Sequence, residues 1–243
     1  MIETLETPEG RRLAYEMLPG RGPGVVFLGG FRSDMTGTKA AFLRDWAARQ
    51  GRAFLRFDYS GHGQSGGDFE DGCIGDWAAD ARAALALTEG KQVLVGSSMG
   101  GWIALLLARA WPEKVAGLVG IAAAPDFTED LMWQAFSEAE RARLMAEGRI
   151  ERRSDYGTPD PITRRLIEDG RQQLVLRTPL NLPFPVRLLQ GTADVDVPPS
   201  VALRLMDHAT GPDIRLTLVK GADHRFSTPE CLELIAGTVA ALG

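Results

Sequence analysis

The chain has 243 residues, 44% of them hydrophobic, and a formal net charge of −5. That length buries a substantial core, in one α/β domain with an insertion as readily as in two small domains, and the acidic balance gives no electrostatic basis for binding nucleic acid or an anionic membrane. Two cysteines, Cys73 and Cys231, are too few for a disulfide framework, and the longest uninterrupted apolar run, Trp102 to Ala108, is far shorter than the roughly 20 residues of a membrane span.

The N-terminus, Met1-Ile2-Glu3-Thr4-Leu5-Glu6, has neither a basic flank nor an apolar h-region, which predicts a cytoplasmic protein with no stable membrane insertion. Alternating segments at Ile2 to Leu5 and Arg12 to Leu18 flank the turn-like Thr7-Pro8-Glu9-Gly10 and predict an antiparallel hairpin. After Gly22-Pro23-Gly24 the pattern changes. Val25 to Leu28, Ala53 to Phe57, Val93 to Val95, Val115 to Ile121, Val186 to Leu189 and Ile214 to Val219 are short aliphatic runs, as strands covered on both faces are. Helical stretches lie between and after them: Lys39 to Arg49, Ile74 to Thr88, Met99 to Ala110, Ser200 to His208 and Pro229 to Leu242. This alternation predicts an α/β fold, a mainly parallel twisted sheet flanked by helices.

One connection breaks the rhythm. From Asp126 to Asn181 no β-run interrupts a charged, helix-prone segment too long for an ordinary loop. It predicts a small helical cap over 126–181, inserted after the sixth principal strand into a core formed by 1–125 and 182–243. Nine arginines, Arg153 among them, face eleven acids, Asp155 among them, so the cap reads as a mixed, solvated surface.

The pentapeptide Gly96-Ser97-Ser98-Met99-Gly100 sits between the run ending at Val95 and the helix that follows. G-x-S-x-G at a strand-to-helix turn is the pattern of a nucleophile elbow, in which a strained turn exposes the serine and glycines two residues either side allow close packing. A serine hydroxyl needs a base to remove its proton. Of the three histidines, His62 lies in the loop Ser60-Gly61-His62-Gly63 and His208 closes a helix, whereas His224 follows the last strand, where open α/β sheets gather their chemistry. His224 is therefore the candidate base. The candidate acid lies in the loop after Arg187-Leu188-Leu189-Gln190, where Asp194 and Asp196 compete, Asp196 also being placed to cap the helix introduced by Pro198 and Pro199. Two donors for an oxyanion are expected from the backbone N–H of Met99 and, after Gly29-Gly30, of Phe31.

The stretch Leu131-Met132-Trp133-Gln134-Ala135-Phe136 is the most apolar part of the cap. In helical form Met132 and Phe136 share a face with Trp133 beside them, and that face either glues the cap to the body or roofs a substrate pocket above Ser98. No glycine loop or histidine and cysteine spacing suggests a metal, nucleotide or flavin, so no cofactor is expected.

Together, Val25 to Phe31, Arg56-Phe57-Asp58-Tyr59-Ser60-Gly61-His62-Gly63-Gln64-Ser65 and Val95 to Trp102 resemble the α/β-hydrolase superfamily over essentially the whole chain. Within it they resemble the branch of mitochondrial palmitoyl-protein thioesterases and acyl-glucuronide esterases, with Phe31 standing where a tyrosine is expected. The resemblance implies Ser98, Asp194 and His224 as triad, Asp194 because Gly191-Thr192-Ala193-Asp194-Val195-Asp196-Val197-Pro198 matches the G-x-x-D-x-x-V-P pattern. It also implies cleavage of a small-molecule acyl ester or thioester, or of an S-acylated protein, through a Ser98 acyl-enzyme. Dehalogenases and epoxide hydrolases carry aspartate at the elbow and are disfavoured by Ser98. A carbon–carbon bond hydrolase, a cofactor-free haloperoxidase and a slow-turnover ligand receptor would keep the same triad.

Overall fold

The structure is a computed structural model and describes residues 1–152 and 159–243, so Arg153 and Asp155 lie outside the described residues. The N-terminal hairpin forms as strands β1 (Glu3–Glu6) and β2 (Arg12–Leu18). There follow β3 (Arg21–Leu28), α1 (Thr38–Gln50), β4 (Arg52–Phe57), α2 (Ile74–Ala86), β5 (Gln92–Ser97), α3 (Met99–Ala110) and β6 (Val115–Ile121). Further along come β10 (Val186–Gly191), α6 (Pro199–His208), β11 (Ala209–Thr210), β12 (Ile214–Val219) and α7 (Pro229–Ala240).

The main sheet has eight strands in the order β1-β2-β4-β3-β5-β6-β10-β12. β2 pairs antiparallel with β1 and β4, and the pairs from β4 to β12 are parallel. Helices cover both faces. Trp77 of α2, Trp102 of α3 and Leu205 of α6 pack into the core on one side, while Leu43 of α1 and Ile235 of α7 pack on the other. Each face of β5 is therefore covered, which is why its six residues are all buried and why its sequence shows an aliphatic run rather than alternation. Parallel pairing carries the C-terminal ends of β3, β5, β10 and β12 to one edge. The loops leaving that edge hold Phe31, Ser98, Asp194 and His224.

The segment between β6 and β10 mixes helical pieces with short strands and irregular chain. A π-helical turn (Thr128–Trp133) leads to α4 (Glu138–Glu147), and α5 (Arg164–Gly170) follows. Ser137 and Glu140 form a reciprocal capping box at the start of α4. The expectation of a segment free of β-structure needs correction: β7 (Arg149–Arg152) pairs antiparallel with β8 (Asp160–Thr163), and β9 (Leu180–Asn181) pairs with β11. Each strand of the β7–β8 pair buries one aliphatic residue, Ile150 and Ile162, too little alternation to register as a strand signal. Among the described residues no helix is long and apolar enough to cross a membrane.

Candidate active site

Ser98 is the residue between β5 and α3, and its backbone is strained, with φ 54° and ψ −119°. Its N–H donates to the Ile121 carbonyl at 2.9 Å and its own carbonyl accepts from Gly101 and Ala124, so both peptide planes are held from outside the turn. A Cβ on Gly96 would strike the Gly100 backbone, and one on Gly100 would strike the Leu28 carbonyl. The two glycines are what let the turn close.

The structure brings together the three residues expected from distant loops. His224 Nε2 lies 3.1 Å from Ser98 Oγ, and His224 Nδ1 lies 2.9 Å from Asp194 Oδ2. The Asp194 side chain is fully buried and that of His224 is 18% exposed, which leaves the serine end of the relay open. The other carboxylate oxygen of Asp194 accepts the N–H groups of Asp196 and Val197 at 3.1 and 2.8 Å. Burial alone would raise the Asp194 pKa; hydrogen bonds from His224, Val197 and Gln190 outweigh it, and the net direction is down.

Gln190 escaped the sequence reading. Its fully buried side chain donates to Asp194 Oδ2 at 2.9 Å and to the Val197 carbonyl at 3.0 Å. The signal for it was one polar residue at the end of the aliphatic strand β10. Asp196 contributes its backbone amide to Asp194, and it is not the N-cap of α6: that position is Pro198, with no side-chain cap bond.

Phe31 lies in a turn in which Ser33 N–H and Oγ both donate to the Gly30 carbonyl, at 3.2 and 2.8 Å. Ser98 opens into a cleft of about 760 Å³. Phe31, Phe127, Leu131 and Met132 form an apolar part of its lining, and Arg32, Lys39, Arg152, Asp160, Asp196 and Arg225 a polar part. Trp133 and Phe136, expected beside Met132, do not line it. Thr128–Trp133 winds as a π-helix, and Phe127, Leu131 and Met132 are the residues of this stretch that line the cleft. Phe136 is buried in the core and Trp133 carries the Arg171 and Arg141 guanidinium groups against its ring, at 4.5 and 5.2 Å.

The remaining histidines are placed elsewhere. His208 Nε2 meets the Thr178 carbonyl at 2.8 Å, and His62 is buried behind the Phe31 turn. Ligand atoms of Asp194, Asp196 and His224 lie within 4.8 Å of one another, but both imidazole nitrogens and both Asp194 oxygens there are already engaged by protein partners. Lys39, at the polar end of the cleft, has its pKa lowered by burial to about 8, with Asp223 partly opposing the shift.

A family model described as serine aminopeptidase, S33 (Hydrolase_4) matches residues 24–169. The chain belongs to this α/β-hydrolase family. Among curated relatives of this α/β-hydrolase is the mitochondrial palmitoyl-protein thioesterase ABHD10 of Rattus norvegicus, 34% identical, with the match covering 98% of this chain and 81% of the relative. A solved structure from Agrobacterium vitis S4 superposes with a TM-score of 0.94 at 42% identity, covering 100% of this chain and 99% of its own. Mouse α/β-hydrolase domain-containing protein 10 superposes with a TM-score of 0.92 at 35% identity, covering 100% and 98%. The mammalian relatives are mitochondrial by name, so the comparisons lend no support to a cytoplasmic placement of this α/β-hydrolase.

Proposed function

We propose that the protein is a serine hydrolase that cleaves acyl thioesters and activated esters through an acyl-enzyme on Ser98, with 126–181 acting as its cap. The observation that carries this reading is the continuous relay from Ser98 Oγ through His224 to the buried Asp194 carboxylate. Neutral His224 takes the Ser98 proton at Nε2 as Oγ attacks the acyl carbonyl, while Asp194 holds Nδ1–H and stabilises the imidazolium. The N–H groups of Phe31 and Met99 receive the negative charge that develops on the carbonyl oxygen. Collapse of the tetrahedral intermediate expels the thiolate or alkoxide, and the His224 proton goes to the leaving group. Water, activated by the same imidazole, then frees the acid. The names of the ABHD10 relatives favour thioesters, S-acylated proteins among them, and the apolar lining at Phe127, Leu131 and Met132 suits an aliphatic acyl chain.

The test is a matched panel of acyl thioesters and oxygen esters of graded chain length, assayed on the wild type and Ser98→Ala. Turnover of the thioester series that falls by roughly 10³-fold or more in Ser98→Ala is the expected result. Thioester hydrolysis unchanged in Ser98→Ala, or a wild type inert toward the whole panel, overturns the reading.

A further inference from the structure

The turn that presents the Phe31 amide is built on an unfavourable residue. Ser33 N–H closes it on the Gly30 carbonyl, leaving Phe31 and Arg32 at its centre. Arg32 has φ 56°, in the left-handed region that a side chain disfavours and glycine tolerates. Such a conformation persists only where the surroundings impose it.

Two groups impose it here. A peptide unit is planar and trans, so fixing its carbonyl also fixes the direction of its N–H. Ser33 holds the Gly30 carbonyl, and thereby the plane that carries the Phe31 N–H. The next plane, which carries the Arg32 N–H, is held by a side chain from another loop: the Arg32 N–H donates to His62 Nε2 at 3.3 Å.

His62 is itself locked. It is 4% exposed, and its Nδ1 meets the Ser60 carbonyl at 3.1 Å. That carbonyl also accepts from Trp77 Nε1, and the N–H and hydroxyl of Ser60 both donate to the buried Asp80. The rings of Tyr59, Phe69 and Trp77 stand edge-on around the imidazole at 5.1 to 5.6 Å. With a carbonyl at Nδ1 and an amide N–H at Nε2, the consistent state is the neutral ring protonated at Nδ1. Burial acts in the same sense by lowering the His62 pKa.

We propose that His62 is a positioning residue for the oxyanion turn: its unprotonated Nε2 accepts the Arg32 N–H and so fixes the second peptide plane of Phe31, keeping the Phe31 N–H directed at the substrate carbonyl. The inference rests on the reading of Ser98 and Phe31 given above. It goes beyond the triad, because His62 transfers no proton in the reaction. Its loop is the turn Tyr59-Ser60-Gly61-His62 leaving β4, a structural feature in the sequence with no evident tie to the nucleophile.

The experiment compares His62→Asn with His62→Gln. Asparagine can reach the Ser60 carbonyl but places no acceptor near Nε2; glutamine can place its amide oxygen there. Removing one oxyanion donor outright costs on the order of 10²-fold or more in kcat, and a donor that is only misdirected loses part of that. His62→Asn should therefore lower kcat roughly tenfold or more with KM nearly unchanged. It should weaken inhibition by a substrate-shaped trifluoromethyl ketone, whose adduct with Ser98 carries an oxyanion, by the same factor. His62→Gln should restore most of both. Equal kcat in the two variants, or a ketone affinity that moves only in step with KM, overturns the proposal.

A measurement without substitution stands beside these. Nitrogen NMR of the imidazoles should find His62 neutral and protonated at Nδ1, and a His62 protonated at Nε2 overturns the proposal even if His62→Asn does not fold. Failure of the underlying reading has a different signature: a wild type that neither hydrolyses the ester panel nor binds the ketone.

Discussion

Asp126 and Arg177 close the segment between β6 and β10 on itself. The fully buried Asp126 carboxylate, soon after β6, accepts the Arg177 guanidinium at 2.8 Å and the N–H groups of Val175 and Leu176 at 2.8 and 3.0 Å. Asp130, one turn on, binds Arg177 as well and reaches Arg204 of α6 at 2.7 Å. Two parts of the segment between β6 and β10, 51 positions apart in sequence, are thus pinned together and to α6.

Asp126→Ala should therefore be costly. It leaves two buried amide groups without an acceptor, at about 1–3 kcal/mol each, while Arg177 keeps its pairing with Asp130. For a chain of this size about 1 kcal/mol lowers Tm by roughly 2–4 °C, so a fall of about 5–15 °C in a thermal melt is expected, with new proteolytic cleavage confined to 126–181. Asp126→Asn, which keeps one acceptor oxygen, should cost less. A variant that melts with the wild type would show that this closure contributes nothing.

The choice between the two aspartates of the β10 loop is tested by substitution in folded proteins. Asp194→Asn should lower kcat by roughly 10³–10⁴-fold, as loss of the orienting carboxylate does in triads. Asp196→Asn keeps the backbone amide that Asp194 uses and should stay within a few-fold of wild type. Gln190→Leu removes a donor to Asp194 without touching His224, so its kcat should lie between the two. The reverse ranking of the aspartate variants moves the acid to Asp196.

What was legible in the chain follows from what each segment has to satisfy. β6, β12 and α3 have the same bounds in the structure as in the sequence reading. β6 and α3 are covered by both neighbouring layers and must be continuously apolar, and each of the three ends in a turn with its own signature. Ser98 was legible because the elbow fixes the residue at three of five consecutive positions, Gly96, Ser98 and Gly100. Gln190 was not, because a buried polar residue announces itself only through a partner that comes from elsewhere in the fold. The π-helical turn was equally hidden: its sequence fits an α-helix, and that Leu131 rather than Phe136 lines the cleft is set by packing. The role of His62 was not legible either, because its link to Arg32 spans 30 positions of sequence.

Lys39 gives a pH prediction with a definite sign. Its pKa falls from the ordinary 10.5 to about 8 in the folded protein because its ammonium is removed from water. Between these values the unfolded chain binds more protons at this site, so its contribution to stability rises with pH across the window and is level below it. Lys39→Met has no such term. The stability advantage of Lys39→Met over wild type in urea denaturation should be greatest below pH 8 and shrink steadily toward pH 10.5. A difference that stays constant across that range would mean that Lys39 is not desolvated in solution.

The apolar lining of the cleft makes the last prediction. Phe127, Leu131 and Met132 face the space beside Ser98, and an acyl chain lying along them exchanges water for hydrocarbon at about 0.8 kcal/mol per buried methylene, roughly fourfold in kcat/KM. Leu131→Ala should lower kcat/KM for long-chain thioesters while leaving acetyl esters nearly unchanged, because a two-carbon acyl group ends before it reaches that surface. Trp133 supplies the internal control. It packs against the core and carries two arginines on its ring, so Trp133→Ala should lower Tm and leave the ratio of long-chain to short-chain kcat/KM where it was. If Trp133→Ala shifts that ratio as far as Leu131→Ala does, the chain lies elsewhere. If neither shifts it, the Leu131 face of the cleft does not hold the acyl group.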